Sequence, residues 1–405
     1  MRAGIEDISI YAGRAALDVN VLAMGRKLDM LRMPNLLMRE KTVALPCEDA
    51  ITFAVNAANP IINRLGPEQT VRIEQLIVAT ESGIDFGKPL SAYVHHALGL
   101  SRNCRTFEIK HACYGGTAAL QSALAFAHSG VSPGAKTLVI TTDAARPIPH
   151  TYAEPSQGAA AVALLVGENP RVLEIEKGLS GCYGFEVMDS CRPTPEIETG
   201  DADLSLLTYL ECIENSFLAY QRKAPGVRFS SFDYFAFHTP FGGMVKGAHR
   251  TMMRKFERIP PAQVEEDFQR RLAPSLQFCA RVGNIYSGTV FLALAGVLAH
   301  GSFGGLSRRV GLFSYGSGCC SEFYSGIATE ASQHAVISLG VEAQLDARYQ
   351  LSVPEYDELL ELQRRLPFGV CDAVPAIGRW ESHVAGSGLL VLERIKNYHR
   401  QYRWA

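Results

Sequence analysis

Two stretches of this chain have no polar face. "GGTAALQSALAFAHSG" (115–130) and "GTVFLALAGVLAHGS" (288–302) consist almost wholly of Ala, Leu, Val, Phe and Gly, whereas a helix at a protein surface keeps one polar side. A helix that is apolar all round must be covered all round. The flanks say by what: each stretch starts at a Gly-containing turn and leads into a strand-length apolar segment, "KTLVITTD" after the first and "RRVGLFSYGSG" after the second. "FEIKHACYGGTAALQSALAFA" and "ARVGNIYSGTVFLALAGVLAH" therefore read as one unit used twice. Two such halves, each contributing a buried sheet, stack as an α/β protein: a five-layered α-β-α-β-α sandwich whose central layer is the pair of small-residue helices.

Further strand-length runs, "IEQLIVAT", "RTFEIK" and "AAAVALLVG" early and "DYFAFHTP" and "SEFYSGIA" late, alternate with helical patterns such as the charged "MMRKFERIPPAQVEEDFQRRL", which suits an outer layer. The expected division is an N-terminal half over 1–170, a connecting loop and helical segment over 171–230, and a C-terminal half over 231–405. Within the connection, "GFEVMDSCRPTPEIETGDADL" reads as a polar loop; residues near 340–375 read as a peripheral, mostly helical addition. With 405 residues, 47% of them hydrophobic, core area is not limiting. The net charge of −2 and the lack of an aromatic-plus-basic tract argue against a nucleic-acid partner, so a charged partner has to meet a local patch. Ten scattered cysteines form no CxxC pair and no Cys/His metal spacing, which suits reduced thiols in a cytoplasmic protein without a metal. "MRAGIEDISIYAG" lacks the basic and apolar regions of a signal peptide, and 288–302 is too short to cross a bilayer, so no membrane partner is expected.

Several residues stand where chemistry is done. Cys113 opens the first all-apolar helix, where free N–H groups and the helix dipole favour a thiolate, and Gly115 and Gly116 permit a sharp turn. The residue alone leaves two readings open, nucleophile or buried filler. Glu81 ends the run "LIVAT", where burial lifts a carboxyl towards neutrality and suits it to acid-base work; the plainer reading is a cap on the sheet. His238 ends "YFAFHTP" in the other half, as reactive imidazole or satisfied structural ring. Asn284 in "VGNIYSG" and Gly316, Ser317 and Gly318 in "YGSGCC" offer amide groups to an oxyanion, or simply mark turns.

Taken in order, "ATESGIDFGKP", "EIKHACYGGTAAL", "FHTPFGGMVKGAHR", "GNIYSG" and "YGSGCCSEFYSG" resemble the hydroxymethylglutaryl-thioester synthases of the thiolase superfamily, over essentially the whole chain to the tail "LLVLERIKNYHRQY". The wording "ESGIDFGK", "EVMDSCRP" and "SYGSGCCSEFYSG" is closest to the branch that works on acyl carrier proteins in polyketide β-branching. The resemblance implies a thiolase-like fold, a homodimer, and no tightly bound cofactor, the substrates being thioesters of phosphopantetheine on donor and acceptor carriers, or of coenzyme A. Relatives in isoprenoid metabolism usually carry Lys at the positions of Gly243 and Gly247; here only Lys246 remains, which weakens a grip on free coenzyme A. The basic run "GRKLDMLRMPNLLMREK", with Arg26, Lys27, Arg32, Arg39 and Lys41, suits an acidic carrier, Arg32 leading as phosphate contact. Between "TTDAAR" and "AEPSQG" only "PIPHTY" stands where the family carries a longer segment, so the lid and acyl selectivity are expected to differ.

What the resemblance implies chemically is a condensation. Cys113 takes an acetyl group, Glu81 removes a proton from its methyl, and the carbon attacks the β-ketone of an acceptor thioester hydrogen-bonded by His238. The backbone N–H groups of Cys113 and Ser317 hold the oxyanion, Asn284 positions the acceptor, and water then cleaves the Cys113 thioester. Rival readings are a coenzyme A-dependent synthase, a ketoacyl-synthase-like enzyme in which malonyl decarboxylation makes Glu81 dispensable, and a silent acyl-binding scaffold.

Overall fold

Alternating side chains along the strands set the layering. The computed structural model describes residues 2–151, 153–194 and 197–405. Among these, a nine-stranded sheet comprises β1 (Gly4–Tyr11), β2 (Ile73–Ala79), β3 (Arg105–Ile109), β4 (Lys136–Ala144), β5 (Ala159–Gly167), β6 (Leu173–Gly184), β7 (Tyr234–Phe237), β8 (Arg308–Gly316) and β9 (Cys320–Ala328), in the spatial order β7-β8-β9-β6-β1-β5-β4-β2-β3. β2 runs parallel to both β3 and β4, and β7 parallel to β8; the other pairs are antiparallel.

The two halves of this sheet meet only where Gly4 and Ile5 of β1 pair with Glu174 and Leu173 of β6. From Glu174 onward β6 pairs with β9 of the second half. The halves face each other across α3 (Gly115–Ser129) and α6 (Thr289–His300), members of a helical set that also includes α1 (Ala50–Thr70), α2 (Leu90–Ala97), α4 (Ala202–Lys223) and α5 (Gly242–Met252). One core unites Ala119, Leu120 and Ala123 of α3 and Phe291 and Leu294 of α6 with Ile77 of β2, Val139 of β4, Ala236 of β7 and Leu312 of β8. The alternate residues, Leu76, Val78, Leu138 and Ile140, turn outward to Ile51, Phe53 and Val55 of α1. In the second half Phe235, Phe237, Phe313 and Tyr315 turn outward to Phe217 and Tyr220 of α4 and Val245 of α5. This is the expected five-layered sandwich. Burial of each such Val, Leu, Ile or Phe contributes about 1.5–3 kcal/mol. Small residues in the central layer are required by closeness: a Cβ on Gly116 would lie 2.5 Å from the Ser287 carbonyl oxygen.

The connecting segment differs from the expectation. It contributes β6, twelve residues long, and the supposed polar loop holds a hairpin of Ser190–Thr194 with Ile197–Gly200. "LEIEKGLSGCYG" conceals its strand because it lies at the sheet's corner: Leu173 and Ile175 enter the central core while Lys177 is exposed and Gly178 takes φ +77°.

The basic run 26–41 also differs. Arg26 is buried in ion pairs with Glu154 at 3.0 Å and Asp357 at 2.5 Å. Lys41 is buried, donating to the Glu154 carbonyl oxygen and the Tyr356 hydroxyl, and its burial lowers it to about 7. Lys27, Arg32 and Arg39 are left exposed. The helices Val341–Asp346 and Val353–Arg364 form the peripheral addition expected near 340–375. No helix among the described residues is long and apolar enough to cross a membrane.

Candidate active site

Glu81 stands two residues beyond the end of β2, and its placement begins with Asp143 on β4. One Asp143 oxygen, Oδ1, accepts from the Thr80 hydroxyl (3.1 Å), the Glu81 backbone N–H (2.8 Å) and the Ser82 hydroxyl (2.9 Å). Its other oxygen is buried without a partner among the described residues. Burial, then the charge of Glu81, pushes Asp143 up to about 8. Through Oδ1 this raised carboxyl clamps the Glu81 loop.

Cys113 lies in the tight turn between β3 and α3. Tyr114 N–H donates to the His111 carbonyl at 3.0 Å, and Ala112 is held at φ +40°, a left-handed conformation that a residue with a Cβ adopts at a cost. The Cys113 thiol donates to Glu81 Oε1 at 3.4 Å. The expected lowering of the thiol by the helix terminus is overturned: burial and then the adjacent Glu81 charge push it well above its ordinary value. Burial also raises Glu81, opposed by the Arg192 charge. Burial thus favours the protonated form of both groups, and the thiol directs its proton at Glu81.

His238 follows β7. Its N–H continues the ladder to the Phe313 carbonyl at 2.7 Å, and its own carbonyl accepts from the Tyr209 hydroxyl at 2.7 Å. Burial lowers the imidazole to about 3, and Nδ1 has no partner among the described residues. The ring is thus neutral here, and positive character on it has to come with an anion formed beside it.

Gly316 backs the nucleophile turn so closely that a Cβ would lie 2.6 Å from the Tyr114 nitrogen and 2.7 Å from the His111 oxygen. The next residue, Ser317, faces the cleft. Behind it, buried Asp189 accepts from Gly318 N–H at 3.0 Å and from the Tyr315 hydroxyl, fixing the turn. Asn284 Oδ1 accepts from Tyr286 N–H (2.9 Å) and the Thr289 hydroxyl (3.0 Å), leaving the amide NH2 to donate into the cleft.

Glu81, Cys113, His238, Asn284 and Ser317 line one cleft of about 1760 Å³. Its walls also include Ile148, Thr151 and Ala153 from the short segment 147–153, of which Tyr152 lies outside the described residues, and its mouth carries the edge-to-face pair Phe86 and Phe368. Arg32 and Lys246 are not in that lining. Arg32 is exposed and faces Asp29 at 3.5 Å; Lys246 pairs with Glu265 at 2.9 Å and lies over the Phe268 ring. Both belong to elements that reach the rim, since Leu36, Phe241 and Met244 line it and the 33–36 turn sits directly on Gly242 and Gly243. Asp143, Asp189, Arg192 and Glu198 escaped the sequence reading. Asp143 ends a buried strand as Glu81 nearly does and was open to the same reasoning; the others lay in what was read as a loop.

The arrangement offers a thiol for acylation, a carboxylate against it for proton transfer, a neutral imidazole for hydrogen bonding and amides for an oxyanion. The chain matches the family description "Hydroxymethylglutaryl-coenzyme A synthase N terminal" over residues 45–171 and its C-terminal counterpart over 248–403. It is 51% identical to the polyketide biosynthesis 3-hydroxy-3-methylglutaryl-ACP synthase PksG of Bacillus subtilis, covering 99% of each chain. It is 33% identical to the hydroxymethylglutaryl-CoA synthase of Enterococcus faecalis, covering 89% of this chain and 91% of that one. The crystal structure of the curacin biosynthetic pathway HMG synthase in complex with holo donor-ACP superposes with a TM-score of 0.98 at 51% identity, covering 100% of both chains. With the thiolase-like layering, this likeness across its full length makes the chain a member of the hydroxymethylglutaryl-CoA synthase family, acyltransferases that form a carbon–carbon bond.

Proposed function

We propose that this protein is a hydroxymethylglutaryl-ACP synthase of polyketide β-branching, condensing an acetyl group held on Cys113 with the β-ketone of a carrier-bound β-ketoacyl thioester. The observation that carries the reading is the 3.4 Å contact between the Cys113 thiol and Glu81 in a cleft that His238 also lines. As an acetyl donor arrives, Glu81 takes the thiol proton and passes it to the departing phosphopantetheine sulfur, so acetyl exchanges for hydrogen on each sulfur. Ionised again, Glu81 removes a methyl proton from acetyl-Cys113, the step for which a raised carboxyl is suited. The thioester oxygen then gains charge against the N–H groups of Cys113 and Ser317, each such donor contributing about 3 kcal/mol. The carbon attacks the acceptor ketone, and the neutral His238 imidazole hydrogen-bonds the oxygen that becomes an alkoxide. The Asn284 amide positions the acceptor. Water cleaves the Cys113 thioester, leaving a 3-hydroxy-3-carboxymethyl branch on the carrier.

Carriers are acidic and bring a phosphodiester. Exposed Arg32, with Lys27 and Arg39 around it and Lys246 on the neighbouring helix, supplies the basic rim for such partners, Arg32 meeting the phosphate. Cleft size suits a phosphopantetheine arm without any resident cofactor. A homodimer is supported by β3, an edge strand whose outer side is open to pair with a second copy; light scattering after gel filtration tests it. The reaction itself is tested by intact-protein mass spectrometry of Cys113 with acetyl-carrier and acetyl-coenzyme A. Faster loading from the carrier is expected. Far faster loading from coenzyme A favours the coenzyme A-dependent synthase, and no acetyl mass on Cys113 leaves only an acyl-binding scaffold.

A further inference from the structure

The hairpin 190–200 carries a charged pair the condensation has not used. Arg192 Nη2 donates to Glu198 Oε2 at 3.0 Å across the hairpin and to the Tyr286 hydroxyl at 2.8 Å, with the guanidinium over the Tyr286 ring. Glu198 is held in turn by the Gln157 amide, at 3.1 and 3.0 Å to its two oxygens. Nη1 lies 3.8 Å from Glu81 Oε2, too far for a hydrogen bond. Among the described residues the guanidinium is therefore anchored through one nitrogen, Nη2, and Nη1 makes no hydrogen bond. Its place is specific: Glu81 turns Oε1 to the Cys113 sulfur and Oε2 to Arg192.

The chemistry proposed above starts from neutral thioesters. The one stable new anion it makes in the cleft is the carboxylate freed from Cys113, and it is born beside the Glu81 carboxylate. The first oxygen of that group occupies the oxyanion position made by Cys113 and Ser317. The second comes from water, which has to approach on the side of its base, Glu81. We propose that Arg192 is the residue that receives this second oxygen, drawing the nascent carboxylate through Nη1 and so driving the hydrolytic half of the reaction. In that step water oxygen bonds to the acyl carbon, the carbon–sulfur bond breaks, one water proton passes by way of Glu81 to the Cys113 sulfur, and the acid gives its remaining proton to solvent.

The inference rests on the condensation reading, and the test separates the two. Before hydrolysis the adduct is joined to Cys113 by one thioester and to the acceptor carrier by another, so a stalled enzyme is covalently linked to its carrier and is seen as such by intact-protein mass spectrometry. Assayed at a pH high enough to keep Glu81 ionised without the Arg192 charge, Arg192→Gln is expected to accumulate the enzyme–carrier conjugate while product release slows about 10- to 100-fold, as for loss of a charge-assisted hydrogen bond to a carboxylate. Arg192→Lys, which keeps the charge, is expected to recover most of that loss and to report the same species should the Gln variant fold poorly. If acetyl-Cys113 accumulates instead, with activity restored at higher pH, Arg192 serves only to keep Glu81 ionised and the proposal is wrong. Wild-type release kinetics in both variants overturn it too. A wild-type protein that takes no acetyl onto Cys113 from any donor sinks the condensation reading itself.

Discussion

Replacing Gly316 by Ala probes the site from behind, without touching a reacting group. The added carbon would stand 2.6 Å from the Tyr114 nitrogen, 2.7 Å from the His111 oxygen and 2.8 Å from the Tyr114 Cβ. Two of these are backbone atoms and the third is fixed to backbone, so no side chain can swing aside. Reaching an ordinary contact of 3.4 Å requires the turn to retreat by about 0.8 Å. Cys113 lies between His111 and Tyr114 and moves with them, disturbing its 3.4 Å contact with Glu81. Overpacking of this kind costs about 1–3 kcal/mol of stability, and a displacement near 1 Å at a reacting centre costs about 100-fold in rate. The assay is rapid-quench mass spectrometry of Cys113 acetylation, alongside thermal unfolding. A folded Gly316→Ala protein that acetylates at the wild-type rate would refute the claim that this glycine sets the position of the nucleophile.

Other outcomes follow from the same geometry. Glu81→Gln should lower condensation by about 100- to 10,000-fold, the worth of a general base; product formation within tenfold of wild type would instead favour a decarboxylating, ketoacyl-synthase-like enzyme. In the wild type, condensation should rise with pH through the elevated Glu81 range, because the base must be ionised. Asp143 holds its proton more tightly folded than unfolded, so its contribution to stability is fully present below the unfolded carboxyl range and is lost as pH rises to about 8, with no further loss above; Asp143→Asn, a mimic of the neutral acid, should flatten that decline in melting temperature between about pH 5 and 8. Arg32→Ala should raise KM for carrier-bound donor with little change in kcat, and the difference should shrink at high salt; equal KM values at low salt would remove Arg32 from the docking surface.

The central layer was legible because nothing but burial explains helices as apolar as 115–130 and 288–302, and the strands beside them advertised themselves by length and flanking glycines. Cys113, Glu81 and His238 could be picked out because each sits where a buried element ends, and the structure brings all three to one cleft. The electrical state of the site was not legible. A helix terminus suggested an easily ionised thiol, but burial and a carboxylate 3.4 Å away act the other way, and neither is visible along the chain. Arg192 and Glu198 were hidden for a related reason: a charged hairpin looks like solvent-exposed loop until its partners, Tyr286 and Gln157, arrive from distant segments. Arg26 and Lys41 were misread in the opposite sense, as surface charge, since their partners, buried Glu154 and Tyr356 and exposed Asp357, lie far away in sequence.

The earliest of the described strands, β1, is also the one on which the halves converge: its neighbours are β5 and β6, whose residues begin at Ala159 and Leu173. During synthesis its backbone therefore waits for about 150 residues before either ladder can close. A nascent chain cut short before β5 would present an apolar strand, "GIEDISIY", with both edges open. Chaperone dependence and aggregation of such fragments should thus end abruptly, once translation has passed the residues that flank β1 on both sides.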